Sequence, residues 1–300
     1  QSQNSARIML DGFTRQISWE FHYELSPVLV SKSLTSDLPT FNVVGDNYRF
    51  SDPTRELLDT ENKNRIYQNL DRLNLRMEMD AGDLTIGRQA ISFGSARIIN
   101  PTDVFLPFDV RTFNTEYRNG VDGIRFQQPW GELGEIDIGF VLGEDAKKGN
   151  SAAFLQIRTN HNGADYHLAL IEFSGQQLTG VGLQTALWNL GFWLEAAYVK
   201  GEKNYLRLST GVDYSFSENT FAQIEYHYNG AGSNDHNDYP SLFDTKPYQR
   251  GGVFLLGKNY IMPSFTLQLS PLWSISAQTI YNLDDHSAFA SLSAEYNVAE

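Results

Sequence analysis

The sequence predicts an all-β fold, a transmembrane antiparallel up-and-down β-barrel of about 14 strands. Three observations point there. Apolar and polar residues alternate with period two in segment after segment. The connections between those segments switch between tight turns and long loops, as in barrels that cross a membrane. Finally, the chain contains no apolar run of about 18 residues, which a membrane helix would need.

Composition narrows the reading. The chain carries 19 Phe, 15 Tyr and 5 Trp, a large supply of amphipathic rings suited to the two interfaces of a bilayer. The absence of cysteine excludes a disulfide framework and thiolate metal sites, and it suits a protein exported through an oxidising envelope. A net charge of −13 argues against a nucleic-acid partner. The opening Gln1-Ser2-Gln3-Asn4-Ser5 has no basic segment followed by an apolar one, and reads as a mature or trimmed start. Residues 1–300 are expected to form one domain, because no linker interrupts the pattern.

The first predicted strand covers 16–25 and the second 70–79, where Leu73, Leu75, Met77 and Met79 oppose Arg72, Asn74, Arg76 and Glu78. Predicted strands follow at 84–93, 121–128, 135–142, 153–159, 166–172, 179–187, 192–199, 205–214, 220–228, 253–269, 273–281 and 288–298. Tight reversals such as Asp80-Ala81-Gly82-Asp83, His161-Asn162-Gly163-Ala164 and Phe216-Ser217-Glu218-Asn219 mark one rim. Long loops near 26–69, 94–120 and 229–249, with a shorter one at 143–150, mark the other. Residues 53–69, with Asp52 as N-cap, are expected to form a short helix in the first loop. A bulge is expected near Gly87, because Arg88 shares a face with Leu84 and Ile86 while Ile91 and Phe93 fall on the other. A barrel of this class has both ends on the short-turn rim; the ending at Glu300 without an aromatic residue suggests a missing hairpin and about 16 strands.

Period two then sorts the side chains. Apolar residues including Leu206, Leu208, Ile136 and Ile138 should meet lipid, with Trp19, Tyr198, Phe216, Trp273 and Tyr296 near strand ends. Arg72, Arg76, Glu78, Arg125, Asp137, Arg158, Glu195, Arg207, Asp213, Glu225 and Glu295 should line the lumen. Arginines dominate the early strands and carboxylates the late ones, so a transverse field across the lumen is expected. A salt-bridge network that fills the barrel is the plainer alternative.

The segment Gly87-Arg88-Gln89-Ala90-Ile91-Ser92-Phe93-Gly94, then Arg97 and Asn100-Pro101-Thr102-Asp103, resembles a broad group of porin-like bacterial outer-membrane β-barrel proteins, including alginate-export-type barrels and related uncharacterised porins. Asn282-Leu283-Asp284-Asp285, before the last strand, is the second point of resemblance. Arg88, Arg97 and Asp103 are the loop-anchoring candidates, with Arg88 expected to reach Asp103 or Asp109, or else to face the lumen. Asp235 and Asp238 are weak candidates for a divalent cation, since their run lacks the spacing of a calcium loop; no metal site and no cofactor are expected. His167, His227, Ser209 and Ser293 belong to no nucleophile motif, so no enzyme is expected.

Together these features imply an outer-membrane channel for small hydrophilic solutes or ions, a monomer or a homo-oligomer surrounded by lipid. Two alternatives remain open. One is a structural sheath holding a periplasmic electron-transfer or other partner in its lumen; the other is a plugged barrel that binds at the surface.

Overall fold

The structure, a computed structural model, describes residues 2–3, 6–29, 48–51, 56–60, 64–105 and 120–297. Its strands are β1 (Ser2–Gln3), β2 (Ala6–Thr14), β3 (Ile17–Leu29), β4 (Glu56–Thr60), β5 (Asn64–Met79), β6 (Gly82–Gln89), β7 (Val121–Trp130), β8 (Gly134–Leu142) and β9 (Ala152–His161). They continue with β10 (Ala164–Phe173), β11 (Gln176–Leu187), β12 (Leu190–Lys200), β13 (Tyr205–Ser217), β14 (Thr220–Asn229), β15 (Asn259–Ser270), β16 (Trp273–Asn282) and β17 (Ala288–Tyr296). Two short helices, α1 (Tyr239–Leu242) and α2 (Lys246–Arg250), lie in the connection between β14 and β15.

Fifteen of these strands run up and down in one antiparallel sheet, each paired with the next. The addition to the expected count is β2, whose Ile8-Met9-Leu10 run breaks period two and hides it from a pattern search. Because β2 starts on the loop rim, the first and last long strands do not both end on the short-turn side as expected. The short-turn links follow local chemistry. At Asn162 and Gly163, φ values of 52° and 75° give the left-handed pair that a two-residue hairpin requires. On the other rim the connection lengths are mixed, since Ser174-Gly175 between β10 and β11 is as tight as any turn opposite.

Three further expectations are corrected. The 53–69 segment is not a helix where it is described: Asn64 to Asn69 extend β5 along β3, and β4 pairs back on β5. No register shift accompanies Gly87, because β5–β6 and β6–β7 pair continuously through it; the change of face arises where β6 ends at Gln89 and the chain turns inward. Residues 253–258 are not strand either, since Val253 and Gly257 are buried inside the barrel and β15 starts at Asn259.

The apolar residues divide between two destinations. Leu73, Leu75, Ile138, Phe140, Val181 and Leu206 stand exposed on the outer face, where lipid would cover them. Trp130, Trp188, Phe216, Trp273 and Tyr296 ring the short-turn rim, with Trp273 and Tyr296 stacked 4.8 Å apart. A second apolar set lies inside. Phe93 and Phe105 of the inward segment meet at 5.4 Å, Phe93 meets Phe154 of β9 at 5.0 Å, and Tyr48 meets Phe105 at 4.9 Å. Ile171, Phe173, Leu178, Val199, Tyr205, Tyr248 and Val253 belong to the same interior cluster, so the chain itself fills part of the lumen at its loop-side end. Burial pushes the phenols of Tyr48 and Tyr248 up to about 12, so both remain hydrogen-bond donors, to the carbonyls of Arg250 (2.9 Å) and Leu255 (2.8 Å).

Candidate functional site

The inward segment 90–105 defines the site. It leaves the wall at Gln89 and lies against the inner faces of β11 to β14, where two glutamates hold it. Period two places Glu195 on β12 and Glu225 on β14 inward, and a carboxylate that leaves water needs about four partners for its lone pairs. The loop supplies them. Glu195 accepts from the backbone N–H of Ser95 (2.6 Å), Ala96 (2.8 Å) and Thr102 (2.9 Å) and from the Thr102 hydroxyl (2.7 Å). Glu225 accepts from the N–H of Arg97 (3.0 Å), Ile98 (3.1 Å) and Ile99 (2.9 Å) and from the Trp193 indole (2.8 Å). Both glutamates are 0% exposed.

The rest of the cradle is built from neighbouring inward positions. The Ser209 hydroxyl lies 2.6 Å from the Ile99 carbonyl, to which it donates, and 2.8 Å from His227 Nδ1. The Gln184 amide donates to the Ser95 carbonyl. Arg207 is buried behind the loop and reaches the carbonyls of Asn100 and Gly251 at 3.4 Å. Loop and sheet can approach this closely because β11 presents glycine inward: a Cβ at Gly180 would sit 2.2 Å from Thr102 Cγ2, and one at Gly182 would sit 2.7 Å from Ser95 Oγ. Ser209 and His227 do meet, but both are sealed under the loop, where no solute could reach the hydroxyl.

Glu195, Glu225 and Arg207 therefore point inward, yet they clamp the loop and do not line a water path. Asp213 faces the lumen and lies 3.6 Å from Arg97, whose guanidinium also sits 5.7 Å from the centre of the Trp193 ring. Arg97 is the charged side chain that the loop keeps in the lumen, at 49% side-chain exposure. Asp103, expected as an anchor, is buried beside Gly252 at the loop's far end. Arg88 does not reach for it. Arg88 grips Asp122 of β7 with two bonds of 2.7 and 2.8 Å and donates to the Ser51 carbonyl at 2.8 Å, so it fastens the earlier loop, and on the outer face of the wall. Asp109 lies outside the described residues.

The expected basic wall is also partly neutralised. Arg125 pairs with Asp137 at 2.6 Å, Arg76 pairs with Asp83, and Arg72 donates to the Asp71 carbonyl at 2.9 Å. Arg158 is exposed and donates to Gln156 at 2.7 Å. Glu78 and Glu295 are exposed on their strands. The transverse field between arginines and acids is thus reduced where Arg76 and Arg125 meet carboxylates and where Glu195 and Glu225 are enclosed by N–H groups. Asp235 and Asp238 spend their oxygens on a turn: Asp235 accepts from the Asn237 N–H at 2.9 Å and Asp238 from the Ser233 hydroxyl at 2.8 Å. Among the described residues, no three His, Asp or Glu side chains converge as a metal would need.

The residues that sequence reasoning missed are Trp193, Thr102, Gln184 and Asn229, the last of which donates to the carbonyls of Leu255 (2.6 Å) and Gly257 (3.2 Å) and ties down the second inward segment. A signal for the docking face did exist. Gly180, Gly182, Gly191 and Gly211 all fall on inward positions of adjacent strands, which leaves a trough for another backbone. The late motif works similarly: Asp284 accepts from the N–H of Lys258 (2.6 Å) and Asn259 (2.8 Å), fixing where β15 begins.

No family model and no curated protein matches the sequence. Solved structures do match it. A loop-deletion mutant of OmpT, an outer membrane protein of Vibrio cholerae, aligns with TM-score 0.54 and 9% identity over 97% of this chain and 89% of that one. A Rh. blastica porin mutant aligns with TM-score 0.56 and 7% identity over 98% and 89%. The outer membrane protein OprD from Pseudomonas aeruginosa aligns with TM-score 0.52 and 11% identity over 93% and 67%. The chain shares the porin-type β-barrel fold with these proteins.

Proposed function

We propose that this chain is an outer-membrane channel that lets small hydrophilic solutes pass through the part of the lumen left free by segment 90–105. One observation carries the reading: the polar clamps of the loop are confined to one part of the wall. These clamps lie on β11 to β14, and Ile98 and Ile99 pack on Tyr260, Met262 and Ile280 at the loop-side ends of β15 and β16, whereas the inward positions of β15 to β17 nearer the short-turn rim remain polar and partly open. There Ser264, Gln278 and Ser291 form one cross-strand row, Thr266, Ser276 and Ser293 a second, and Gln268, Ser274 and Glu295 a third. Hydroxyl and amide groups of this kind exchange hydrogen bonds with water and solutes without binding them tightly, which suits passage. Arg97 and its partner Asp213 edge the opening from the loop side.

Lipid would cover the outer apolar band, and the porin-type fold supports a location in a bacterial outer membrane. Single-channel recording in planar bilayers tests the reading. The expected result is a steady conductance that rises when the loop is released by the double substitution Glu195→Ala and Glu225→Ala. A folded protein that never conducts, with or without its loop clamps, would remove the channel reading in favour of a plugged barrel. Conductance that appears only after a bound protein is stripped away would favour the sheath.

A further inference from the structure

Among the described residues, three buried polar atoms on β8 to β10 lack hydrogen-bond partners, Glu135 Oε1, Gln156 Nε2 and His167 Nε2, and so does Ser95 Oγ on the docked loop above them. They are neighbours. Glu135, Arg158, His167 and Gly182 form one inward cross-strand row, Gln156 is the adjacent inward position on β9, and Ser95 hangs from the loop over Gly182. Gln156 is 1% exposed and His167 is 9% exposed, so these orphaned groups are not simply wet. Buried donors without partners are rare, and several in one place mark a spot where something else completes the bonds.

The middle of the row is cationic. Arg76, Arg88 and Arg125 each have a carboxylate partner, but Arg158, exposed to the lumen, has among the described residues only the Gln156 side-chain oxygen at 2.7 Å. That bond occupies the Gln156 oxygen and leaves its amide nitrogen a free donor, two positions along β9 from the guanidinium. Two planar donor groups on neighbouring inward positions of β9 match the two oxygens of a carboxylate, and His167 in its Nε2–H tautomer adds a third donor from the next strand. Glu135 on the other side disfavours a bare or multiply charged anion, while its unpaired oxygen would accept from a hydroxyl or an ammonium.

We propose that this niche binds small carboxylates bearing a hydroxyl or amine on the adjacent carbon, as they pass through the lumen. Arg158 and Gln156 take the carboxylate, and Glu135 takes the neighbouring donor. The inference rests on the channel reading for its biological sense but not for its test. Lactate is the probe. Titrated into a 13C-observed NMR experiment on the folded protein in detergent, it should show saturable binding, and it should reduce potassium chloride conductance over the same concentrations. Arg158→Gln should weaken both effects by about tenfold or more, the loss expected for one charge-assisted contact, while Lys148→Gln on the exposed loop should not. Inorganic phosphate or propionate acting as strongly as lactate, or Arg158→Gln leaving lactate binding intact, would overturn the niche. Absence of lactate binding in a protein that conducts overturns the niche and spares the channel; lactate binding without conductance supports the niche and removes the channel.

Discussion

Glu225 illustrates how a single side chain can hold a segment of chain inside a barrel. Three backbone N–H groups and an indole converge on one buried carboxylate, a set that water cannot replace once the loop is docked. Glu225→Ala leaves those donors buried and unmatched, and is expected to cost about 3 kcal/mol or more. Measured by urea unfolding from lipid vesicles, a cost below about 1 kcal/mol would mean that the loop does not depend on this clamp. Gly180 tests the opposite side of the contact. Gly180→Val places a Cβ 2.2 Å from Thr102 Cγ2, so the loop must lift or the strand must bend, at about 1 to 3 kcal/mol. Limited proteolysis within residues 94–102 reports it: faster cleavage is expected in the valine variant, and an unchanged rate would show that the loop is not packed on β11.

At the scale of elements, strand period determines what each face tolerates. Leu75 of β5 and Leu206 of β13 are exposed on the outer face, whereas Ser276 of β16 falls on an inward position beside Thr266, 3.1 Å away. Leu75→Arg or Leu206→Arg should therefore destabilise the barrel by about 2 to 4 kcal/mol, and Ser276→Arg should be tolerated while changing conductance. Folding yield into vesicles decides it: equal yields for the three variants would show that the two faces do not differ in solvent. The strands themselves were readable because alternation of Leu73, Leu75 and Met77 with Arg72, Asn74 and Arg76 is a local property. β2 escaped because Ile8, Met9 and Leu10 follow one another without a polar interruption.

For the whole molecule, the balance between wall, loop and lumen controls function. Releasing the loop with the paired glutamate substitutions should enlarge conductance, and an unchanged conductance in a folded protein would mean that the loop does not limit the opening. How much of this was legible in the sequence follows from the range of each interaction. Alternation, turn residues such as Asn162-Gly163 and the absence of a long apolar run are written in consecutive residues, so they determined the barrel class, the two rims and the direction of most side chains. Direction is not destination. Glu195 and Glu225 were legible as inward-facing, but only the tertiary structure decided that backbone more than 90 positions away, from Ser95 to Ile99, would cover them. Arg88 likewise met Asp122 across a strand pair and not Asp103 along the chain. A buried carboxylate must find donors wherever the fold supplies them, and which segment arrives first at a glycine-lined trough is a matter of closure in three dimensions, which period two along a strand does not encode.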